Sequence, residues 1–457
     1  MELYGRTVIY TSEESITRDN IVDVLTDAIP VFEKNRFETQ ILYDYYCGKQ
    51  AVYDRVKDVR PEICHKIVEN RANEIVSFKT GYLMGEPVQY ISRGNDVSEQ
   101  LNVFNEYMTA EGKDSKDKEI ADWFHISGHA YRMIKPDKKS EMDEAPFEIY
   151  TLDPRETFVV RHSGLGHKVL MGVIVVAIKG VTRYCCYTDR RYFEIEEGKI
   201  IKEAPNGLRA VPIIEYPANM ARLGAFEIVI DLIDALNDLA SDRLDGVDQF
   251  IQALMVFKGV DIDSDDFAQL RKEGALKVPP DGDVKYLIQE LNQGQTQTLV
   301  DYTYQTMLDI CGMPNRNGGS STSDNGVAVI YRDGWTSAET RAKDSEMMFK
   351  KSEKEFLRLA IKIANEYRQL DLRASQIDPH FTRRNYENIQ SKSQVLTTML
   401  SNNKIHPRLA FEYCGMFVDP EAAYIESMEY EKKAVAEEQA RLDMQWENEV
   451  NAVTEER

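Results

Sequence analysis

Apolar positions along this chain change period several times, and each change marks a different kind of element. From Arg18 to Met84 they recur every three or four residues (Ile21, Val24, Leu25; Ile63, Ile67, Val68; Ile75, Phe78), with breaks at Gly48-Lys49 and Arg60-Pro61. That pattern predicts two or three helices. Gly81, Gly85 and Pro87 end it, an extended piece follows over residues 88–92, and a further helix is predicted over about 96–127. Between Ala130 and Tyr216 the texture is different. Segments 147–152, 169–178, 182–187, 192–195 and 199–202 are short, β-branched or aromatic, and separated by Gly, Asp and Pro, which predicts an antiparallel meander. The turn and strand from Pro205 to Tyr216 close it.

Residues 225–257 read as one helix of about 33 residues, roughly 50 Å long, with no proline. Carboxylates fall at Glu227, Asp231, Asp234, Asp238, Asp242, Asp245 and Asp248, while Val229, Ile233, Leu236, Leu239, Leu244, Val247, Ile251 and Leu254 occupy another side. Like charges three and four apart oppose helix formation, and Asp is a poor helix former, so helix propensity does not account for the stripe. Two readings stay open: a solvated face that turns to solvent or to cations of a neighbouring chain, or a wall facing something polyanionic that must not stick.

A compact stretch follows to about Asn292, with a small helix at 264–273, strands at 275–278 and 284–288, and the turn Pro279-Pro-Asp-Gly282. A second helix spans 295–311. Between two helices lies the loop from Gly312 to Asn325, rich in Gly, Ser and Asn. Residues 326–370 are helical again, interrupted at Asp333-Gly334 and restarted by a capping-box pattern, Thr336-x-x-Glu339, which gives a long kinked helix. An extended piece at 377–381, helices at 387–400 and 408–413, and a polar helix from Asp419-Pro420 to the end complete the chain. From Glu421 on, that last helix carries eleven acids against four bases. The fold class is α+β, mostly helical with an antiparallel β region.

Composition narrows the functions. With 457 residues, 42% apolar and 29% charged, the chain can bury a core without staples. The net charge of −21 disfavours a protein that grips nucleic acid by releasing counterions from phosphates. Six scattered cysteines without a C-x-x-C pair imply neither a disulfide framework nor a zinc knuckle, and fit a reducing compartment. The first residues do not resemble a signal peptide, and the apolar run 169–178 is far below the roughly 20 residues of a membrane span.

Catalytic and metal patterns fail one by one. Asp261-x-Asp263-x-Asp265 starts like a calcium loop, but Asp266 stands where the bend needs glycine and Lys272 where a bidentate Glu belongs. Gly48-Lys49 lacks the spacing of a phosphate-binding loop and reads as a helix-ending turn. His125 and His129, four apart on one predicted helical face, lack a companion glutamate and read as satisfied histidines near a helix end. No nucleophile elbow or Cys/His signature is present. No catalytic residue, metal or cofactor is expected.

Several short motifs then occur in order: Tyr45-Tyr46-x-Gly48-Lys49; Asn70-Arg71 leading to Gly81-Tyr-Leu-Met-Gly-Glu-Pro87; Gly128-x-Ala130-Tyr131; Leu152-Asp153-Pro154; Val211-Pro212 to Asn219; Ile233-Asp-Ala-Leu-Asn237 with Ser241-Asp242; and Asn325-Gly326-Val-Ala328. This order resembles the portal proteins of siphovirus-type tailed phages over nearly the whole chain. The resemblance implies a homo-oligomeric, twelve-fold ring at one capsid vertex, in the virion and assembled in the host cytoplasm, not an enzyme. By that likeness residues 1–223 are a wing, 224–258 a stem helix, 259–293 a clip, 294–312 a second stem helix, and 313–326 a tunnel loop. Residues 327–385 are then a long helix and wing strand, and 386–457 a crown with the acidic C-terminal helix. The implied partners are double-stranded DNA, the terminase large subunit, a head-completion adaptor, and major capsid and scaffold proteins. On this reading Asp231, Asp234, Asp238, Asp242, Asp245 and Asp248 line the channel, and the loop residues Asn315, Arg316, Asn317, Gly318 and Gly319 approach the DNA. The competing readings are a metal-dependent nucleic-acid-processing enzyme holding Mg²⁺ at Asp261, Asp263, Asp265 and Asp266, and a minor capsid or scaffold interaction protein.

Overall fold

The computed structural model describes residues 5–58, 60–92, 98–137, 144–251, 254–258, 283–287, 293–315, 334–382, 389–417 and 420–455. The predicted helix 264–273, strand 275–278 and turn 279–282 lie outside these residues, as do Asp261, Asp263, Asp265 and Asp266.

Helix α1 (Ile21–Tyr46) lays Ile21, Val24, Leu25, Ala28 and Phe32 on a six-stranded sheet. That sheet is ordered β1-β5-β6-β7-β8-β9, with β1 (Ile9–Thr11), β5 (Thr157–His162), β6 (Val169–Ile178), β7 (Val181–Thr188), β8 (Arg191–Glu196) and β9 (Lys199–Pro205). From β6 to β9 it is the predicted antiparallel meander; β5, which the pattern did not predict, pairs antiparallel with β6, β1 adds in parallel at its edge, and the predicted segment 147–152 belongs to a different sheet. Phe32 stacks on Phe158 with ring centroids 4.6 Å apart, fixing the helix over the sheet.

A second core forms around a three-stranded sheet, β10 (Ile213–Pro217), β3 (His129–Pro136) and β4 (Phe147–Leu152). Helices α2 (Arg71–Leu83), α3 (Ser98–Ala110) and α4 (Lys113–Ser127) precede it in the chain. The predicted helix over 96–127 is two helices: Gly112, at φ +59°, breaks it where a side chain would be strained. Strands β2 (Gln89–Ser92) and β13 (Ile377–His380) pair antiparallel, so the two predicted extended pieces meet across the fold.

The predicted helix over 225–257 is shorter. A 3₁₀ turn (Glu227–Val229) leads into α5 (Ile230–Ile251), about 33 Å long, and Leu254–Lys258 is a strand, β11, paired with β12 (Asp283–Leu287). Helix α6 (Gln293–Cys311) returns beside α5. Arg243 Nη1 donates to Gln297 Oε1 (3.0 Å) near one end, and Cys311 Sγ lies 3.8 Å from the Ala225 carbonyl at the other, so the pair is antiparallel.

Helix α7 (Trp335–Arg368) starts from Gly334 without a side-chain cap. The Thr336/Glu339 capping box does not form: Thr336 is inside the first turn, and Glu339 instead accepts from Tyr82 Oη (2.9 Å). Helices α8 (Ile389–Leu400), α9 (Pro407–Cys414) and α10 (Pro420–Glu455) end the chain.

Where α7 crosses the second core, six polar side chains from five elements meet out of reach of bulk solvent. Lys113 and Asp117 of α4, Arg132 of β3, Glu353 of α7, Tyr90 of β2 and Tyr216 of β10 are all buried. Lys113 Nζ lies 2.6 Å from Asp117 and 2.9 Å from Glu353, Arg132 pairs with both carboxylates, and both tyrosine hydroxyls donate to Glu353. Two cations face two carboxylates, so the buried group is neutral and hydrogen-bonded, the condition under which ions are tolerated in a core.

The two histidines do not share a helical face. His125 is on α4, the helix ends at Ser127 with Gly128 left-handed, and His129 opens β3. Each ring has a partner: His125 Nδ1 meets Thr80 Oγ1 at 3.1 Å and His129 Nδ1 meets the Ser127 carbonyl at 3.1 Å. Burial, with nearby Lys79 adding, lowers His125 to about 3, and burial lowers His129 to about 4. Both are therefore neutral when folded, and their stabilisation is complete above pH 6.5, where the unfolded chain is neutral too. It is lost as pH falls toward 4, at about 1.4 kcal/mol per pH unit per histidine. Of the difference between urea midpoints at pH 7 and pH 5 that the two histidines cause, His129→Gln is expected to remove about half, His125 keeping the rest.

Candidate functional site

Helix α5 carries two polar rows, and they have different fates. Asn237, Ser241 and Asp245 stand four apart, so they form one line along the helix, and all three are buried. Opposite them runs the extended segment 64–70. Asn237 Oδ1 accepts from Glu69 N (3.0 Å), Ser241 Oγ from Ile67 N (3.0 Å) and Asp245 Oδ1 from His65 N (2.7 Å). The pairing works because four helical residues advance about 6 Å and two extended residues about 6.6 Å, so the two periods stay in step. A strand partner would satisfy these amides by backbone. Here a helix does it with side chains. The row continues into Gln50, whose Oε1 accepts from Asn237 Nδ2 (2.6 Å) and whose Nε2 donates to Asn70 Oδ1 (3.2 Å). Asn70, left-handed at φ 47°, caps α2 through Asn73 N.

Around this ladder the predicted acidic stripe splits. Asp231 and Asp238 are exposed and, among the described residues, have no cationic partner. Asp234 is half-buried and accepts from Tyr45 Oη at 3.1 Å; burial, with Asp238 and Asp231 adding, raises its carboxyl above the usual range. Asp242 pairs with Arg55 and lies 3.7 Å from Lys57. Asp245 is enclosed, its side chain 1% exposed, with Lys57, Arg55 and His65 around it. Burial would raise its carboxyl, but hydrogen bonds from Lys57 and His65 hold it below the usual range. Asp248 meets His65 Nε2 at 3.3 Å. Glu227, at the foot of the helix, accepts from Gly5 N and Gly224 N and pairs with Arg6.

Within this subunit Asp245 is closed off by two cations and an imidazole. Asp234 and Asp248 are committed to Tyr45 and His65 of the same chain, which leaves Asp231, Asp238 and one side of Asp242 outward.

Of the loop, Asn315 is described, and Arg316, Asn317, Gly318 and Gly319 lie outside the described residues. Its base is defined. Gly312, at φ +65°, ends α6, and Gly334, at φ +80°, starts α7 where an added Cβ would stand 3.8 Å from the Met313 carbonyl oxygen and from Pro314 Cα, so the chain leaves and returns at one place. Lys79 Nζ donates to the Cys311 carbonyl (2.8 Å), placing a cation at the negative end of α6. Phe78, Tyr82 and Trp335 pack together beside it.

The sequence reading missed Asn237, Ser241, Arg55, Lys57 and His65 as parts of this site. A polar i, i+4, i+8 row was present as a signal, but it borders the Asp stripe and looks like part of the same solvated face. Among the described residues, no cluster of three or more His, Cys, Asp or Glu is placed to hold a metal, and no helix is long and apolar enough to cross a membrane.

The family model described as "Phage portal protein, SPP1 Gp6-like" matches residues 29–442. The portal protein of Bacillus phage SPP1 is 24% identical over 316 residues, covering 61% of this chain and 58% of that relative's length. Among solved structures, the neck of an empty gene transfer agent particle is similar over 83% of this chain and 94% of the other, at 10% identity and a TM-score of 0.48. The neck of the native particle, with C12 symmetry, is similar over 76% and 89%, at 11% identity and a TM-score of 0.45. With the family's pattern matched over most of its length, the chain belongs to the phage portal protein family, SPP1 Gp6-like.

Proposed function

We propose that this chain is one subunit of a portal ring at a capsid vertex, through which double-stranded DNA is packaged and later ejected. The family match over residues 29–442 carries this reading. In it, the two cores and helices α1 to α4 form the wing, α5 and α6 the stem, the segment around β11 and β12 the clip, and α8 to α10 the crown. The loop between α6 and α7 is the tunnel loop, with Asn315 to Gly319 near the DNA. The terminase large subunit, which brings the ATPase, a head-completion adaptor, and capsid and scaffold proteins are the expected partners. The chain itself performs no catalysis, and its place is the virion.

The mechanism is electrostatic. Twelve copies at −21 each carry roughly −250 charges, and low-dielectric walls focus such a field on whatever passes. Asp231 and Asp238, exposed and without a cationic partner among the described residues, are the stem carboxylates available to keep phosphates from binding at any one position. Negative-stain microscopy of the purified protein is expected to show rings with a central hole. A protein that stays monomeric under assembly conditions, or that cleaves DNA with Mg²⁺, overturns the reading. Asp231→Lys/Asp238→Lys is expected to slow packaging by about tenfold or more, through phosphate binding that weakens as salt rises, with rings still formed. Unchanged packaging would remove these residues from the channel.

A further inference from the structure

Where the chain enters α5, two buried carboxylates share one buried cation. Glu38 belongs to α1 and Glu227 to the 3₁₀ turn at the foot of α5, and Arg6, ahead of both in the chain, lies between them. Arg6 Nε stands 3.1 Å from Glu38 Oε2, and Arg6 Nη2 pairs with Glu227 Oε1. Lys34, 3.9 Å from Glu38 Oε1, has a side chain 68% exposed, so water screens what it adds. Burial raises the Glu38 carboxyl, Arg6 and Lys34 pull it down, and Glu227 adds to the rise, so the two carboxylates oppose each other and Arg6 reconciles them. A buried carboxylate without its cation is costly, and here one guanidinium prevents that cost at two residues from different elements.

The segment that delivers Arg6 is itself held along its length. Gly5 N donates to Glu227 Oε1 (3.1 Å) and Arg6 N to the Ala221 carbonyl (3.0 Å). Gly5, at φ +81°, comes so close that an added Cβ would stand 2.0 Å from the Ala221 oxygen. The Asn35 amide of α1 then satisfies both backbone groups of Thr7, accepting from its N–H (2.9 Å) and donating to its carbonyl (2.8 Å), as a neighbouring strand would. Ile9 to Thr11 form β1 on the edge of the six-stranded sheet, with Ile9 buried in the core beneath α1. Residues 5–11 thus run from the foot of α5 across α1 to the sheet. They precede the stretch 29–442 that matches the family model, whereas Glu38 and Glu227 lie within it. We infer that residues 5–11 are a clasp that fixes the foot of α5 to α1 and the six-stranded sheet, with Arg6 as the positioning residue that makes the two buried carboxylates compatible. The contact lies within one subunit and does not depend on ring formation; in the ring reading it is the joint between wing and stem.

Amide hydrogen exchange on the full chain tests the clasp, with strands β6 to β8 as the internal reference. Asn35→Ala removes the grip on Thr7 and leaves all three buried charges in place. It is expected to speed exchange by about tenfold or more both in residues 5–11 and in residues 221–229. Arg6→Met is expected to do the same more strongly, and Arg6→Met/Glu38→Gln to recover most of the protection at 221–229, because Glu227 keeps its two backbone donors and no second carboxylate opposes it. A loss of packing alone would not respond to Glu38→Gln. If Asn35→Ala loosens residues 5–11 and leaves 221–229 within about twofold of the unsubstituted protein, the segment does not hold the foot of α5 and the clasp is wrong. If Arg6→Met/Glu38→Gln protects no better than Arg6→Met, or if β6 to β8 lose protection together with the foot, Arg6 is a general core group and the inference falls. These readouts come from the single chain, so an absence of rings would count against the portal reading and leave the clasp to be judged by exchange.

Discussion

Replacing Glu353 by alanine is expected to lower stability by about 3–5 kcal/mol, among the largest effects of any single substitution in the protein. The reason is the charge inventory of the buried group. Lys113 and Arg132 are balanced by Asp117 and Glu353, and removing one carboxylate leaves a net positive charge buried among Tyr90, Tyr216 and Phe356. Burial alone would raise the Glu353 carboxyl, but Lys113 and Arg132 overcome it and hold it down at about 2. Its contribution is therefore complete above the ordinary carboxylate value of 4.5 and is lost only as pH falls toward 2. Glu353→Gln keeps the shape, loses the charge, and is expected to cost nearly as much at pH 7. Replacing all four charged members by apolar residues of similar volume, with Tyr90→Phe and Tyr216→Phe beside them, is expected to cost far less than Glu353→Ala, because nothing is then left unpaired. Urea denaturation of the three variants at pH 7 checks the order. If Glu353→Ala costs under about 1 kcal/mol, the group does not hold α7 to the core as described.

That group was not legible in the sequence, and neither was the direction of the acidic stripe, for the same physical reason. Periodicity reports which residues share a face, and it found α1, α2, α6, α7, α10 and the meander from β6 to β9. It does not report what lies opposite. Arg132 meets Glu353 from 221 positions away, and the cations over Asp242 and Asp245 come from 187 and 188 positions upstream. The misplaced end of α5 has a related origin: Leu254 to Lys258 is an apolar run that continues the helical period, and only its pairing with residues 283–287 makes it a strand. The single helix over 96–127 failed on a local signal that was present, Gly112, which the apolar pattern on either side outweighed. The loop's composition marked it as a loop, and the meeting of its two ends at Gly312 and Gly334 came only with the fold.

Asp245→Ala is expected to cost about 2–4 kcal/mol, and the loss should be local to the junction between α5 and segment 64–70. The carboxylate accepts from His65 N and the His65 ring while pairing with Lys57 and Arg55, so its removal leaves one backbone donor unpaired and two cations sharing Asp242 alone. The cations are partly exposed, 14% for Arg55 and 22% for Lys57, and water can recover some of the loss, which keeps the figure below that for Glu353. Ser241→Ala and Asn237→Ala each remove one rung and strand Ile67 N or Glu69 N, at about 1–3 kcal/mol apiece. Asp238→Ala, one position beyond Asn237 but exposed, is expected to change stability by under about 0.5 kcal/mol. Amide hydrogen exchange discriminates the cases: in Asp245→Ala the amides of residues 65, 67 and 69 should lose protection together, because the ladder is one cooperative contact, while those of β6 and β7 should not change. Loss at residue 65 alone would mean that the rungs act independently. If Asp238→Ala cost as much as Asp245→Ala, the division of the stripe into an anchoring row and an outward row would be wrong, and with it the choice of Asp231 and Asp238 as the carboxylates that face the channel.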